Sequence, residues 1–220
     1  KEHSVNYLES HDGYTLGDFI RVATGEVDVH KKITNPDSLQ KLTPLQMKLN
    51  KLSALFLFTS QGMLMIHSGQ EYGRSKVITT NSAVPDTEKG HIDHNSYNKD
   101  NETNYLNYDH ADANQELLDY YRGLFQLRNE HAAFRRAEYE DITFLPESEG
   151  FKLGYIIRFE GKQYAVIMNA QPDALASFTL PEGTWQIVVN GSKAGNKVLD
   201  TVSHKLQIPA STGFVLLREE

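Results

Sequence analysis

The chain has 220 residues, with 22 Lys and Arg against 29 Asp and Glu, nine His and no Cys, for a formal charge of −7. No disulfide framework, thiolate metal site or thiol nucleophile is available, and the acidic balance argues against nucleic acid as a partner. Hydrophobic residues at 39%, with 11 Tyr and 10 Phe, make a folding composition rather than a disordered one, at a length that allows one or two domains.

The longest apolar run, Leu52 to Thr59 with Gly62 to Ile66 beyond it, is broken by Ser53, Ser60 and Gln61. It is too short to cross a bilayer, so no membrane partner is expected. The start, Lys1-Glu2-His3-Ser4-Val5, has neither an initiator Met nor a signal peptide and enters a strand-like run at once. It reads as part of something longer.

Val5-Asn6-Tyr7-Leu8 is a brief strand ending at Ser10-His11-Asp12-Gly13. A helix follows, with Thr15 as cap, Asp18 at capping-box spacing, Leu16, Phe19, Ile20 and Ala23 as its apolar face, and Gly25 closing it. Residues 26–42 are a polar, proline-marked loop. Thr43 and Pro44 then open the clearest helix, whose stripe is Leu45, Leu49, Leu52, Leu55, Phe56 and Thr59. Gly62 stops it, and Met63-Leu64-Met65-Ile66 reads as a strand buried on both faces. Strand, helix and strand in this order predict a parallel α/β layer.

Residues 67–112 have little periodicity but are rich in Asn, Asp, Tyr and His, which predicts a long functional loop. A helix over 114–133 follows, with Leu117, Tyr121, Leu124, Phe125 and Arg128 on one face. Beyond Phe134 the texture changes. Strand runs over 151–159, 163–169, 177–180, 185–189, 205–208 and 213–217 are separated by turns such as Glu160-Gly161, Glu182-Gly183 and Asn190-Gly191. They predict an antiparallel β-sandwich. The chain therefore divides into an α/β part, 1–135, and an all-β part, 136–220.

His11 and Asp12 sit at the C-terminal end of a strand, the edge where parallel α/β architectures build active sites. The same dipeptide, with Gly13, also suits a simple turn. Glu71, in the corresponding place after the second strand, reads either as a site carboxylate or as an ion-pair partner of Arg74 or Lys76. His91 and His94, with Asp86, Asp93, Asp100 and Asp109 around them, lack the regular element that would align metal ligands. A polar loop is the reading taken there, with no metal. Trp185 is either a sugar-stacking platform or a core residue.

The run Val5 to Leu16, with Ser10-His11-Asp12-Gly13 at its centre, resembles the fourth conserved region of the α-amylase family of glycoside hydrolases. Ser60 to Lys76, with Gly69-Gln70-Glu71-Tyr72-Gly73-Arg74, is similar to the eighth barrel strand and its loop in the debranching members, pullulanases above all. Asn95-Ser96-Tyr97-Asn98-Lys99-Asp100, continuing to Asn104 and Tyr108, resembles the segment that follows in pullulanases, and Leu127 to Arg135 resembles the close of the last barrel helix. Met63 departs from the Pro that pullulanases often carry there, which leaves isoamylase-type glycogen debranching open.

The resemblance implies the last quarter of a (β/α)₈ TIM barrel followed by an antiparallel β-sandwich. It implies hydrolysis of α-1,6 branch linkages in pullulan, starch or glycogen by a retaining mechanism, with α-glucan as partner and no cofactor. Asp12 matches the transition-state stabiliser and His11 its substrate-contacting neighbour, with Asp100 and Asn104 as further substrate contacts. The nucleophile and acid/base match no residue of this chain. Readings left beside it are an α-1,4-glucan hydrolase and a carbohydrate-binding module. A quarter barrel would leave its strands at 5–8 and 63–66 as sheet edges, so association of copies is expected.

Overall fold

The computed structural model describes residues 4–81 and 83–219. The initial Lys1-Glu2-His3 lies outside the described residues. The chain forms two compact units. One combines the residues up to Asn6 with Lys51–Leu64 and everything from Asp119 on; the other comprises Tyr7–Asn50 and Met65–Leu118.

In the first unit, β1 (Val5–Asn6) pairs in parallel with β2 (Met63–Leu64), Val5 opposite Met63. The expected strand–helix–strand order is present, with α2 spanning Pro44–Thr59. Its strands are shorter than expected and β2 is not buried on both faces. Met63 is 54% exposed and Val5 50%.

Six further strands, β3 (Ile142–Phe144), β4 (Lys152–Phe159), β5 (Lys162–Asn169), β6 (Ala176–Val189), β7 (Asp200–Ile208) and β8 (Thr212–Glu219), form one antiparallel sheet in the order β3-β4-β5-β8-β6-β7. Two separate sheets were expected; the observed sheet is continuous and rolls on itself. The cause lies in β6. Glu182-Gly183, expected as a turn, is an irregularity inside this 14-residue strand, with the register to β7 shifting between Thr179 and Thr184. Such a bulge bends and twists a strand. The first half of β6 thereby lies over β4, so that a Cβ on Gly154 would meet the Phe178 ring at 2.8 Å. Within the roll Trp185, Phe178, Ile167, Ile208 and Leu216 form one apolar cluster. Glu160-Gly161 does turn as expected, with φ of 50° and 75°, the positive pair a two-residue hairpin requires.

Helices complete this unit. An added Cβ on Gly213 of β8 would collide with Leu55, so a glycine is required where the helix meets the sheet. Tyr155 Oη donates to the Thr59 carbonyl at 3.1 Å, and Lys51 Nζ to that of Gly191 at 3.3 Å. These contacts attach 51–64 to the strands, and Tyr164 Oη, 3.3 Å from His131 Nδ1, attaches the end of 119–135; the compact units accordingly divide the chain elsewhere than at residue 135. The stripe expected on α2 is also modified: Leu45 and Phe56 are exposed, whereas Ala54, Leu55, Leu57 and Phe58 are buried.

Arg128, on α4 (Gln115–Glu130), closes the end of α2. Its Nη1 donates to the carbonyls of Phe58, Ser60 and Phe134 at 2.6–2.8 Å, and Nη2 to that of Gly62 at 2.7 Å. Terminal helix carbonyls lack intrahelical partners, and a buried cation there also opposes the helix dipole. Burial pushes the Arg128 guanidinium down to about 10, still charged at neutral pH.

The second unit contains α1 (Leu16–Ala23), a 3₁₀ turn over Pro36–Leu39 and a second over Gln70–Tyr72. The expected long loop is partly regular, carrying α3 (Tyr108–Ala113) and single bridges Asp12–Asn95 and Val77–Ile92. A small apolar cluster of Val27, Leu39, Val77 and Ile92 anchors it. No helix among the described residues is long and apolar enough to cross a membrane.

Replacing Arg128 by Met keeps much of the stem packing but leaves four carbonyls without their donor. We expect a loss of about 2–4 kcal/mol in urea unfolding, with Arg128→Lys intermediate because one ammonium cannot fork. A change below about 0.5 kcal/mol would show that water replaces the guanidinium.

Candidate functional site

Glu9, the first residue after the β1 segment to be buried, sets the geometry of the loop that follows. One carboxylate oxygen accepts the Leu16 N–H at the start of α1; the other lies 3.0 Å from His67 Nδ1. Between them, Ser10 Oγ accepts the Asp12 N–H at 3.2 Å and Gly13 adopts φ of 75°, a left-handed turn that favours glycine. The chain is pinched at both ends, and the intervening His11 and Asp12 side chains point out, 59% and 76% exposed. His11 Nε2 is 3.4 Å from Asp12 Oδ2.

Residues 93–104 come to this loop. Asp12 and Asn95 form a β-bridge, and the His11 and Tyr97 rings lie 6.1 Å apart. Asp93 holds the turn from beneath: buried, it accepts the Asn95 N–H at 2.9 Å and pairs with Lys99 Nζ at 2.7 Å. Asn104 gives its amide N–H groups to the carbonyls of Ser96 and Lys99, at 2.6 and 2.7 Å. Only its Oδ1 is left for a substrate contact. Asp100 is exposed on the same segment.

The frame beneath is polar and buried. α1 turns inward not the expected Leu16, Phe19, Ile20 and Ala23 but Leu16, Gly17, Asp18, Ile20 and Arg21; Phe19 is 61% exposed. Thr15 caps the helix as expected by accepting the Asp18 N–H, yet Asp18 does not return the bond. Its carboxylate instead accepts the Lys76 N–H at 2.8 Å and faces Arg21 Nη1 at 3.4 Å. Arg21 Nη2 donates to the carbonyls of Leu39 and Gly73, at 2.7 and 2.9 Å. A Cβ at Gly17 would lie 2.6 Å from that Gly73 oxygen, so only glycine allows the approach. Thr15 Oγ1 donates to Arg74 O at 2.7 Å.

Lys76, fully buried, reaches Ser96 Oγ at 3.0 Å. Burial lowers its pKa, and the nearby Asp93 carboxylate opposes that. Three sequence segments, 9–18, 67–76 and 93–104, are thus joined by hydrogen bonds, and the exposed His11, Asp12, Asn95 and Tyr97 meet at their polar rim.

Glu71 Oε2 accepts the Gly69 N–H at 2.9 Å within its own turn, and its charge acts on Arg74, one of the two partners considered from sequence. His91 Nδ1 lies 3.1 Å from Val29 O. No group of three His, Asp or Glu side chains among the described residues is arranged to hold a metal. Trp185 is in the core, its Nε1 donating to Pro181 O at 2.9 Å with the Arg218 guanidinium over its ring. Sequence reasoning missed Glu9, Asp18 and Lys76 as the frame. Asp18 and Arg21, three apart on the same side of a helix as Leu16 and Ile20, were the available signal.

No family model matches the chain. Over 181 residues it is 28% identical to a pullulanase of Bacillus subtilis (strain 168), covering 78% of this chain and 21% of that protein. A glycogen debranching enzyme of Dickeya chrysanthemi is 27% identical over 214 residues, covering 84% of this chain and 30% of the enzyme. The solved structure of a pullulanase from Bacillus acidopullulyticus superposes with a TM-score of 0.75 at 26% identity, over 97% of this chain and 24% of that one. The chain spans less than a third of each. The resemblance read from the motifs therefore extends over most of the chain, and the six-stranded antiparallel sheet matches pullulanase C-terminal structure.

Replacing Asp18 by Asn keeps an acceptor of the same shape but removes the larger counter-charge of the buried Arg21 guanidinium, leaving only the weaker influence of Glu26. We expect a loss of about 3–5 kcal/mol by chemical denaturation. An unchanged midpoint would mean the Leu39 and Gly73 carbonyls suffice for Arg21.

Proposed function

We propose that this chain is part of a retaining glycoside hydrolase that cleaves α-1,6 branch linkages in an α-glucan such as pullulan, starch or glycogen. The observation that carries the proposal is the meeting of the His11-Asp12 loop with the Asn95–Asp100 segment: separate motifs of one enzyme family converge on one exposed polar rim. In this reading residues 1–135 contribute the last part of a (β/α)₈ barrel and 136–220 its C-terminal β domain. The names of the similar proteins support branch cleavage as the reaction. The buried position of Trp185 gives no support to a carbohydrate-binding module that would use it for stacking.

A retaining glycosidase places a nucleophile and an acid/base about 5–5.5 Å apart across the scissile bond. Neither is assigned to a residue of this chain. Asp12 has the third task. As the ring flattens toward an oxocarbenium ion, its hydroxyls grow more acidic and bond more strongly to a carboxylate held in place beforehand. An interaction stronger in the transition state than in the ground state lowers the barrier. The outward Asp12 carboxylate, carried on a backbone that a β-bridge to Asn95 holds, suits that task, and His11 beside it can bond a neighbouring hydroxyl. Tyr97 offers an aromatic face to the sugar's C–H groups.

In the intact enzyme, Asp12→Asn should lower kcat about 10²-fold, the order found on removing one preorganised stabilising group. His11→Ala should act mainly on KM. A kcat/KM within a few-fold of the parent enzyme on pullulan would make Asp12 a turn residue. The 220 residues by themselves should release no reducing sugar from pullulan or glycogen, because components that act as a unit do not substitute for one another. Measurable turnover would place the nucleophile inside this chain.

A further inference from the structure

Glu9 and His67, both in the second unit, hold corresponding places in the chain. Glu9 follows Asn6 of β1 by three residues, and His67 follows Leu64 of β2, the register partner of Asn6, by three. Their side chains meet. Glu9 Oε1 lies 3.0 Å from His67 Nδ1, with the Glu9 side chain fully buried and that of His67 26% exposed. The other Glu9 oxygen accepts the Leu16 N–H, so the carboxylate is held from both sides. Its charge acts on the buried cations Arg74 and Lys76.

A carboxylate only accepts hydrogen bonds, so the ring nitrogen facing it carries the proton. In the neutral imidazole that leaves Nε2 an unprotonated acceptor. The two nitrogens of the ring diverge, and Nε2 points away from Glu9. It takes no hydrogen bond from the described residues and is open to solvent. A carboxylate behind a histidine fixes which nitrogen meets a ligand and in which protonation state, as in metal sites and catalytic triads. Position adds to this chemistry. Glu9 precedes His11 by two residues, a span of about 7 Å at most between Cα atoms. His67, bonded to Glu9, therefore stands beside the rim that His11 and Asp12 form.

We propose that His67 is a further substrate-binding residue of this site, accepting a sugar hydroxyl at Nε2, and that Glu9 is the positioning residue that keeps its proton on Nδ1. This rests on the reading of the rim as an α-glucan site. A neutral acceptor gains less than a carboxylate as charge develops on the sugar, so its effect falls on affinity more than on turnover.

Long-range ¹H–¹⁵N spectra of the histidine rings in the 220-residue chain, titrated with maltotriose, test both parts. In the free chain the neutral His67 ring should show Nδ1 protonated and Nε2 bare. Maltotriose should then shift the Nε2 resonance saturably, together with the His11 and Asn95 amides. His67→Asn keeps an N–H toward Glu9 but has no atom in the place of Nε2. It should leave the thermal midpoint unchanged and weaken maltotriose about three- to tenfold, the loss of one hydrogen bond. His67→Gln, which reaches the place of Nε2 but not Glu9, should melt earlier and bind more tightly than His67→Asn. The ring titration of the parent chain needs no variant, so it decides if His67→Asn fails to fold. A ring protonated on Nε2, or no shift of Nε2 while His11 and Asn95 shift, would overturn the proposal and leave the α-glucan reading standing. An affinity unchanged in His67→Asn would do the same. The absence of saturable shifts at His11, Asn95 and His67 alike would overturn both.

Discussion

Asp18 and Arg21 are desolvated together on the inner side of α1, and the rest of the second unit is arranged around the cost of doing so. An arginine taken from water needs a counter-charge and acceptors for its fork of donors. Asp18 supplies the first, and the Leu39 and Gly73 carbonyls supply the second. Each requirement fixes a different stretch of irregular chain against the same helix. The Asp18 carboxylate reaches the backbone of Lys76, and the Lys76 ammonium then reaches Ser96. A segment with little regular hydrogen bonding of its own is held by side chains that cannot be left unpaired.

The sheet unit solves a different problem by different means. Its strands satisfy their own backbone groups, so what must be arranged is how one sheet closes over its apolar face. A bulged, 14-residue β6 does this by pairing with β7 along one edge and β8 along the other. The apolar cluster then needs no second sheet. Where a helix rests on this sheet, glycine rather than a polar network makes the fit, as at Gly213 beneath Leu55.

Features with a local cause were legible in the sequence. The cap at Thr15 and the Thr43-Pro44 start of α2 follow from one or two residues each, and so does the Glu160-Gly161 hairpin. Features with a cause distant in sequence were not. The inward face of α1 was misjudged because Asp18 and Arg21 are polar, and their partners lie 18 to 58 positions away. Glu182-Gly183 has turn composition, yet cross-strand pairing makes it a bulge. The exposure of Met63 could not be seen either, because an apolar run of four residues reads alike whether its faces are covered or open. Of the rim, His11 and Asp12 were found from their position after a strand. Asn95 and Tyr97 entered through resemblance, since nothing local marks two residues of a loop as neighbours of a site more than 80 positions earlier.

The division between buried frame and exposed rim has a chemical logic. A carboxylate that is to stabilise a transition state must be ionised and fixed before substrate arrives. In the role proposed for Asp12, burial would fix the side chain at a cost in desolvation, and a free loop would have to be ordered on binding. The fold separates the two requirements. Asp12 keeps most of its side chain in water, while Glu9 on one side and Gly13 on the other hold its backbone, and Asn95 bridges it. The desolvation is borne instead by Asp18, Arg21 and Lys76, whose partners are supplied by the protein itself.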